Sequence, residues 1–168
     1  MNYIAFVVGL AAVTVFLLGY LQKTRKRIIL LNATSRVLYI LQYLLLFAFE
    51  GAALDIAGIV SCFLAQKRDK PLIRKYLPWF VVGANLLIIA AGIATYKNLF
   101  SLLPLCGVLL HTSALWITDE KKIRLVSLCG CPFWLAYNFI SGAYGSCIGD
   151  FLSIGSLLVS IYRYDWKK

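Results

Sequence analysis

Apolar runs of the length needed to cross a bilayer follow one another along almost the whole chain of 168 residues. A helix rises 1.5 Å per residue and the hydrocarbon core is about 30 Å thick, so about 20 apolar residues suffice for one crossing. Only 14% of the residues are charged, against about a quarter in soluble domains. The pattern predicts an all-α membrane protein with seven transmembrane helices and no separate soluble domain. The predicted spans are Tyr3–Leu21, Ile28–Phe49, Gly51–Gln66, Tyr76–Tyr96, Leu99–Ile117, Leu125–Ser141 and Tyr144–Tyr162.

The basic residues lie in short clusters between these runs, and their distribution predicts the orientation. With the N-terminus outside, 15 of the 17 basic residues fall on the inner side and Lys97 alone falls outside. This is the asymmetry of the positive-inside rule, so we expect the N-terminus outside and the C-terminus inside. The first run has its basic residues behind it, which favours a retained span over a signal peptide. Short separated clusters also argue against nucleic-acid binding, despite the net charge of +10.

The chain contains a weak internal repeat at an offset of 95 residues. The offset places Ala48 on Ala143 and Asp55 on Asp150, with 8 identities in the 47 residues from 23 to 69 and no gap. Spans one to three fall on spans five to seven, and span four links them. Both triplets enter from the outside, which predicts a parallel 3+1+3 repeat about an axis along the membrane normal. The predicted units are residues 1–75, the linking helix 76–97 and residues 98–168.

Polar and aromatic side chains recur near the middle of the second and sixth spans. The offset places Gln42 on Tyr137 and Tyr43 on Asn138. Such side chains often hydrogen-bond between helices, and they equally suit a cavity that binds a small polar solute. We predict a substrate site from these four, with Asn85 and His111 as further candidates. A neutral hydrogen-bonding role is the alternative for His111, the only histidine.

Three kinds of costly residue lie inside the apolar runs. Asp55 and Asp150 are either hydrated carboxylates near the N-termini of their helices, where free backbone N–H groups favour an anion, or acids that line the outer mouth of a central path. Arg36 either extends its long side chain back to the inner interface or, if the second span begins only at about Val37, lies at the interface itself. Binding of an anionic substrate group is the alternative that we weigh against these. Pro104 and Pro132 weaken the backbone of their helices and are candidate hinges for alternating access.

The motifs of enzymes are missing from the sequence. The five cysteines form no C-x-x-C pair and no zinc spacing, which favours a packing role. There is no H-E-x-x-H, no G-x-S-x-G and no phosphate-binding loop. We therefore expect no enzymatic activity, no cofactor and no metal site.

Two stretches resemble a known family. "LLPLCGVLLHTSALW" and "WLAYNFISGAYGSCIGDFL", at 102–116 and 134–152, resemble the bacterial YgjV inner-membrane proteins in the skeletons L-L-P-x-x-G and W-x-x-x-N-F-x-x-G-x-x-G. That family looks like a member of the SWEET, PQ-loop and KDEL-receptor superfamily, although this chain has no Pro-Gln dipeptide. The resemblance implies a 3+1+3 fold, which is SWEET-like in its parallel repeat.

The resemblance and the repeat together predict a carrier for a small polar solute, working by alternating access between two three-helix bundles. The alternative is a receptor or scaffold on the same fold that does not transport. The resemblance implies a multi-pass location in the bacterial inner (cytoplasmic) membrane. The expected partners are membrane lipids and an unidentified small polar solute, with a second copy of the chain as a further candidate.

Overall fold

Eight α-helices form the regular structure of the protein in a computed structural model, which describes residues 2–20, 25–68, 70–117 and 119–166. No strand occurs among these residues, so the predicted all-helical class is confirmed. A 3₁₀ turn at Leu99–Ser101 precedes α6, and a π-helical turn at Tyr162–Trp166 follows α8. The helices are α1 (Tyr3–Tyr20), α2 (Arg25–Leu45), α3 (Phe49–Gln66), α4 (Pro71–Lys75), α5 (Leu77–Ala94), α6 (Leu102–Ala114), α7 (Glu120–Ile140) and α8 (Tyr144–Ile161).

Length and composition make four helical segments of the described chain able to cross a membrane. Two further apolar helices, Tyr3–Leu18 and Leu99–Ala114, are shorter. The structure also has a short helix, α4, in the basic segment that the sequence suggested was a loop. Pro71 at its first position has no N–H group to leave unpaired, which favours a helix start there. The four spanning segments are Phe49–Gln66, Leu77–Ala94, Lys121–Ile140 and Tyr144–Trp166.

Six of the helices close into a ring. In the order α1, α2, α3, α6, α7 and α8, each packs against the next, and α8 packs back against α1. Helix α5 lies outside this ring, against α3 and α6. Most of α5 is exposed in the isolated chain, as an apolar helix facing lipid would be. The ring therefore has an interior, and α5 does not reach it.

The packing fixes the relative directions of the helices. A buried cluster joins Ala65 at the end of α3, Ala84 in α5 and Trp116 just after α6. At the opposite end, Leu105 near the start of α6 lies against Gly92 near the end of α5. Helix α5 therefore runs antiparallel to both neighbours. The basic segment that contains α4 lies at the end of the bundle where α3 and α6 finish.

Two pairs of helices have bounds that are related by the offset of 95 residues. Helices α2 and α7 each have 21 residues and α3 and α8 each have 18, and in both pairs the bounds differ by 95. The intervening turns match as well. Phe47 has a φ of 56° and Gly142, 95 residues later, a φ of 72°. Only glycine adopts this left-handed conformation without strain, so the turn at Phe47 carries a steric cost of about 1–2 kcal/mol.

The same hydrogen bond closes both turns. The backbone N–H of Ala48 donates to the Tyr43 carbonyl at 2.9 Å, and that of Ala143 donates to the Asn138 carbonyl at 2.8 Å. Both alanines are buried, at 8% and 0% exposure, against an aromatic cluster of Tyr43, Trp134 and Tyr137. The ring centroids of this cluster are 5.8 to 6.2 Å apart. The end of the ring opposite the basic segment is therefore filled by packed side chains.

Candidate functional site

The interior of the ring contains a cavity of about 170 Å³. Its walls come from α1, α2, α3, α7, α8 and the α6 region, so every helix of the ring contributes, whereas α5 does not. The lining is mixed, with charged, amide, hydroxyl and aromatic side chains beside a few aliphatic ones. This composition suits a small polar molecule better than a lipid tail.

Twelve of the lining residues form six pairs whose members are 95 residues apart. Successive residues of a helix point about 100° apart, so an alignment that was wrong by one residue would turn the related positions away from the cavity. Positions related by the offset of 95 residues therefore face one cavity in these six cases. The pairs are Phe16 with His111, Asn32 with Ser127, Arg36 with Cys131, Tyr39 with Trp134, Tyr43 with Asn138, and Asp55 with Asp150.

Helical spacing explains how α2 supplies four of these positions. Asn32, Arg36, Tyr39 and Tyr43 stand at i, i+4, i+7 and i+11, which places them on one face of the helix. The equivalent four positions of α7 repeat the spacing. This face combines polar tips with aromatic rings, while most of the described exposed residues of α2, such as Val37 and Leu41, are apolar. The polar stripe thus faces the cavity, and the apolar residues face outward.

A buried ion pair between Arg36 of α2 and Asp55 of α3 forms part of the cavity wall. The Arg36 guanidinium donates from Nη1 to Oδ1 of Asp55 at 2.6 Å, and from Nε to the Asn32 side chain at 3.2 Å. The side chains of Arg36 and Asp55 are only 13% and 5% exposed. Gly58 provides the space, because a Cβ there would lie 2.6 Å from Nη1. The sequence-based expectation that Arg36 reaches the membrane interface is therefore wrong.

The second acid of the cavity has a different partner. Asp150 accepts a hydrogen bond at 2.7 Å from the side-chain amide of Asn138, whose carbonyl oxygen accepts one from the Tyr43 hydroxyl, also at 2.7 Å. Tyr43 and Asn138 are 95 residues apart, so this bond joins equivalent positions of the two halves. Where the first half has Arg36, the second has Cys131, which brings no positive charge.

Both acids line the cavity, and neither is held by a helix start. Asp55 and Asp150 are each the seventh residue of their helix, beyond the four residues whose backbone N–H groups are free. Their carboxylates are held by side chains instead. The acid in the first turn of α3 is Glu50, which accepts from Lys97 at 3.4 Å and lies outside the cavity wall.

Gln42 and Tyr137 are not part of the lining. They lie one residue before Tyr43 and Asn138, and so about 100° round the helix. The Ser146 hydroxyl donates to the Gln42 side chain, while the Tyr137 hydroxyl accepts from the Gly51 backbone N–H at 2.9 Å. Ser146 and Gly51 are themselves 95 residues apart, so the two contacts are equivalent. Both join one half of the ring to the other.

The remaining candidates lie in different surroundings. His111 lines the cavity, and its Nε2 lies 3.1 Å from the Ser127 carbonyl, which can only accept. Asn85 is half-buried on α5, away from the cavity. Pro104 is in the first turn of α6, where a missing N–H breaks no helical bond. Pro132 lies inside α7 with its ring exposed, where it does remove one.

Most of the polar and aromatic residues that line the cavity were not predicted from the sequence. The missed residues include Asn32, Ser35, Tyr39, Trp134 and Ser153. A signal for some of them was present, since stepping back from Tyr43 by 4, 7 and 11 residues reaches Tyr39, Arg36 and Asn32. The serines carry no comparable signal, because a serine in an apolar helix commonly bonds to its own backbone.

Among the described residues no group of three or more His, Cys, Asp or Glu side chains could hold a metal ion. Comparison with known proteins gives one match. The model of the Imp-YgjV family, described as a bacterial inner membrane protein, matches residues 3–168. Searches of the curated proteins and of the solved structures found no match.

Proposed function

The chain belongs to the Imp-YgjV family of bacterial inner membrane proteins, and we propose that it carries a small polar solute across that membrane. The observation that carries the proposal is the cavity at the centre of the ring, lined by six residue pairs 95 residues apart. A cavity lined by related positions of both halves suits alternating access, since rocking one half against the other would expose the same site to each side in turn.

The proposed architecture is a parallel 3+1+3 repeat of seven transmembrane helices. The first bundle is residues 1–75, the second is residues 98–168, and α5 within 76–97 links them. Two contacts between α1 and α8 support a parallel arrangement. Gly145 lies against Phe6 and Gly149 lies against Val13, so the residue numbers of both helices rise in the same direction. The contact of Tyr43 with its equivalent Asn138 also supports it, because equivalent residues meet only at the symmetry axis.

The proposed orientation places the N-terminus outside and the C-terminus inside. Its support is the grouping of basic residues at the end of the ring where α3 and α6 finish and α7 begins. That end would face the cytoplasm under the positive-inside rule. Lys97, beside the start of α6, would then be at the outer surface.

In this orientation the cavity is closed toward the outside. The contacts of Tyr43 with Asn138, Gln42 with Ser146, and Tyr137 with Gly51 all join the halves at the outer end of the cavity or beyond it. We refer to these three contacts as the outer seal. An outward-open state must break them, and Pro132 in α7 is the proposed place where that helix bends.

The volume of the cavity limits the size of the solute. A cavity of about 150 Å³ in another protein accommodates benzene, so about 170 Å³ suits a solute of roughly six to eight non-hydrogen atoms. This favours small amines, amino acids or short polyols over hexoses and nucleosides in the state described here.

Cys131 provides a native reporter for the test, because its thiol lines the cavity. The variant retaining only this cysteine would be reconstituted and treated with a small thiol reagent, with and without candidate solutes. A solute that protects Cys131 and exchanges across vesicles in a counterflow assay supports the carrier. Protection without exchange supports the receptor alternative, and absence of protection by every solute of this size refutes a solute site in the cavity.

A further inference from the structure

The charges that face the cavity do not balance. Among its described lining residues, Arg36 is the one Lys or Arg, and Asp55 and Asp150 are the two acids. Arg36 and Asp55 neutralise each other at 2.6 Å. The imidazole of His111 needs only its neutral form to donate to the Ser127 carbonyl. With both carboxylates ionised, the cavity therefore has a surplus of one negative charge, on Asp150.

The repeat identifies what Asp150 lacks. Its equivalent, Asp55, has a cation built into the chain at Arg36, and the position equivalent to Arg36 is Cys131. Asp150 accepts one hydrogen bond, from the Asn138 amide, and within the described part of the chain no Lys or Arg side chain pairs with it. A carboxylate offers about four acceptor positions. A buried carboxylate without a countercharge is unfavourable, so a cation bound from solution would stabilise it.

The surroundings of Asp150 favour an organic ammonium group over a metal ion. Tyr39, Tyr43 and Trp134 line the same cavity, and aromatic faces attract ammonium groups while packing against carbon. A hard metal ion would need several oxygen ligands, and no group of three metal-binding side chains occurs among the described residues. The acid, the amide that positions it and the aromatic rings together form an environment for a small amine.

We propose that the solute is a small organic monocation whose ammonium group binds Asp150 and whose carbon body packs against Tyr39 and Trp134. This inference rests on the proposed function and names the substrate class of the same cavity. The single positive charge matches the single surplus negative charge. A zwitterion of similar size would leave the surplus unchanged, and an anion would double it.

The test compares ligands that share a four-carbon body and differ in charge. Binding of n-butylammonium, n-butanol, γ-aminobutyrate and butyrate to the full-length purified protein would be measured by calorimetry at low ionic strength. We expect n-butylammonium to bind about 10- to 100-fold more tightly than n-butanol, as charge-assisted hydrogen bonds imply. Equal affinity of the amine and the alcohol would overturn the proposal.

Two variants locate the effect, with a matched control. Asp150→Asn keeps the shape and removes the charge, and Cys131→Lys supplies the second half with a cation of its own. Each should lower the affinity for n-butylammonium to that for n-butanol. Glu50→Gln removes an acid outside the cavity and should leave the amine's advantage unchanged. An unchanged advantage in Asp150→Asn would overturn the proposal, and if neither cavity variant folds, the ligand series on the wild-type protein still decides.

The outcomes also separate this inference from the proposed function. If neutral or zwitterionic solutes protect Cys131 and exchange across vesicles while charge makes no difference, the monocation is wrong and the carrier stands. If no solute of any charge binds or protects Cys131, the proposed function falls as well.

Discussion

Replacing Asp55 by Asn is expected to destabilise the protein by about 3–5 kcal/mol, the usual result of breaking a buried ion pair by removing one partner. The side chains of Arg36 and Asp55 are 13% and 5% exposed, and the contact is 2.6 Å long. Two unit charges about 4 Å apart attract each other by about 4 kcal/mol at an effective dielectric constant of about 20. An arginine side chain does not lose its proton in proteins, so the variant leaves the Arg36 guanidinium buried without the carboxylate that it binds.

A second ion pair gives the matched control. Lys97 and Glu50 are 3.4 Å apart, and the side chain of Lys97 is 53% exposed. The side chain of Glu50 is only 11% exposed, but Lys97 reaches water, which screens the pair and hydrates Lys97 in the variant. The coupling within this pair is therefore expected to be about 0–1 kcal/mol, and Glu50→Gln should cost less than Asp55→Asn. Replacing both Arg36 and Asp55 by apolar residues, as Arg36→Met with Asp55→Leu, should cost less than Asp55→Asn alone, because no uncompensated charge remains.

The assay is equilibrium unfolding of the purified variants in mixed micelles, analysed as a double-mutant cycle with the single variants of each pair. We expect a coupling energy of several kcal/mol for Arg36 with Asp55 and nearly none for Lys97 with Glu50. If Asp55→Asn is no more destabilising than Glu50→Gln, Arg36 is not a buried partner of Asp55. The conclusion that the cavity has one surplus negative charge would then be wrong as well.

Two further variants test the packing between the halves. Gly145→Ala should cost about 1–3 kcal/mol, because its Cβ would lie 2.7 Å from the Phe6 carbonyl oxygen, a backbone atom that cannot move aside. Gly155→Ala, on the same helix with open space, should be neutral or slightly stabilising, and equal thermal shifts would contradict the close approach of α1 and α8. Tyr43→Phe removes one bond of the outer seal and should cost about 0.5–1.5 kcal/mol, whereas Tyr144→Phe, at an exposed tyrosine, should cost nothing measurable. Equal melting temperatures for the two tyrosine variants would show that the Tyr43 hydroxyl contributes nothing.

The membrane class and the helical frame could be predicted because they follow from local properties of the chain. Apolar runs, basic clusters and the offset of 95 residues are all present in the sequence. The offset also identified Tyr43 and Asn138, which lie in contact inside the ring. Gln42 and Tyr137 met the same criterion and lie outside the cavity, because one residue of displacement turns a side chain by about 100°.

The role of Arg36 depends on information that the sequence order does not contain. Within a single apolar run, a long basic side chain most simply extends to the interface. Its actual partner, Asp55, comes from the next helix, and Gly58 provides the space for the pair. The short helix α4 was missed for a simpler reason, since Pro71 lies within a cluster of charges that indicates a loop.

The most direct test of the central claim is the accessibility of equivalent cavity positions from one side of the membrane. Single cysteines at the equivalent lining positions 32 and 127, introduced as Asn32→Cys and Ser127→Cys in a variant without the native cysteines, would be treated with an impermeant thiol reagent in right-side-out and inside-out vesicles. We predict that both cysteines react with the reagent from the cytoplasmic side, and that the same solute protects both. Reaction of the two positions from opposite sides would indicate an inverted arrangement of the halves and would contradict a shared central cavity built from a parallel repeat.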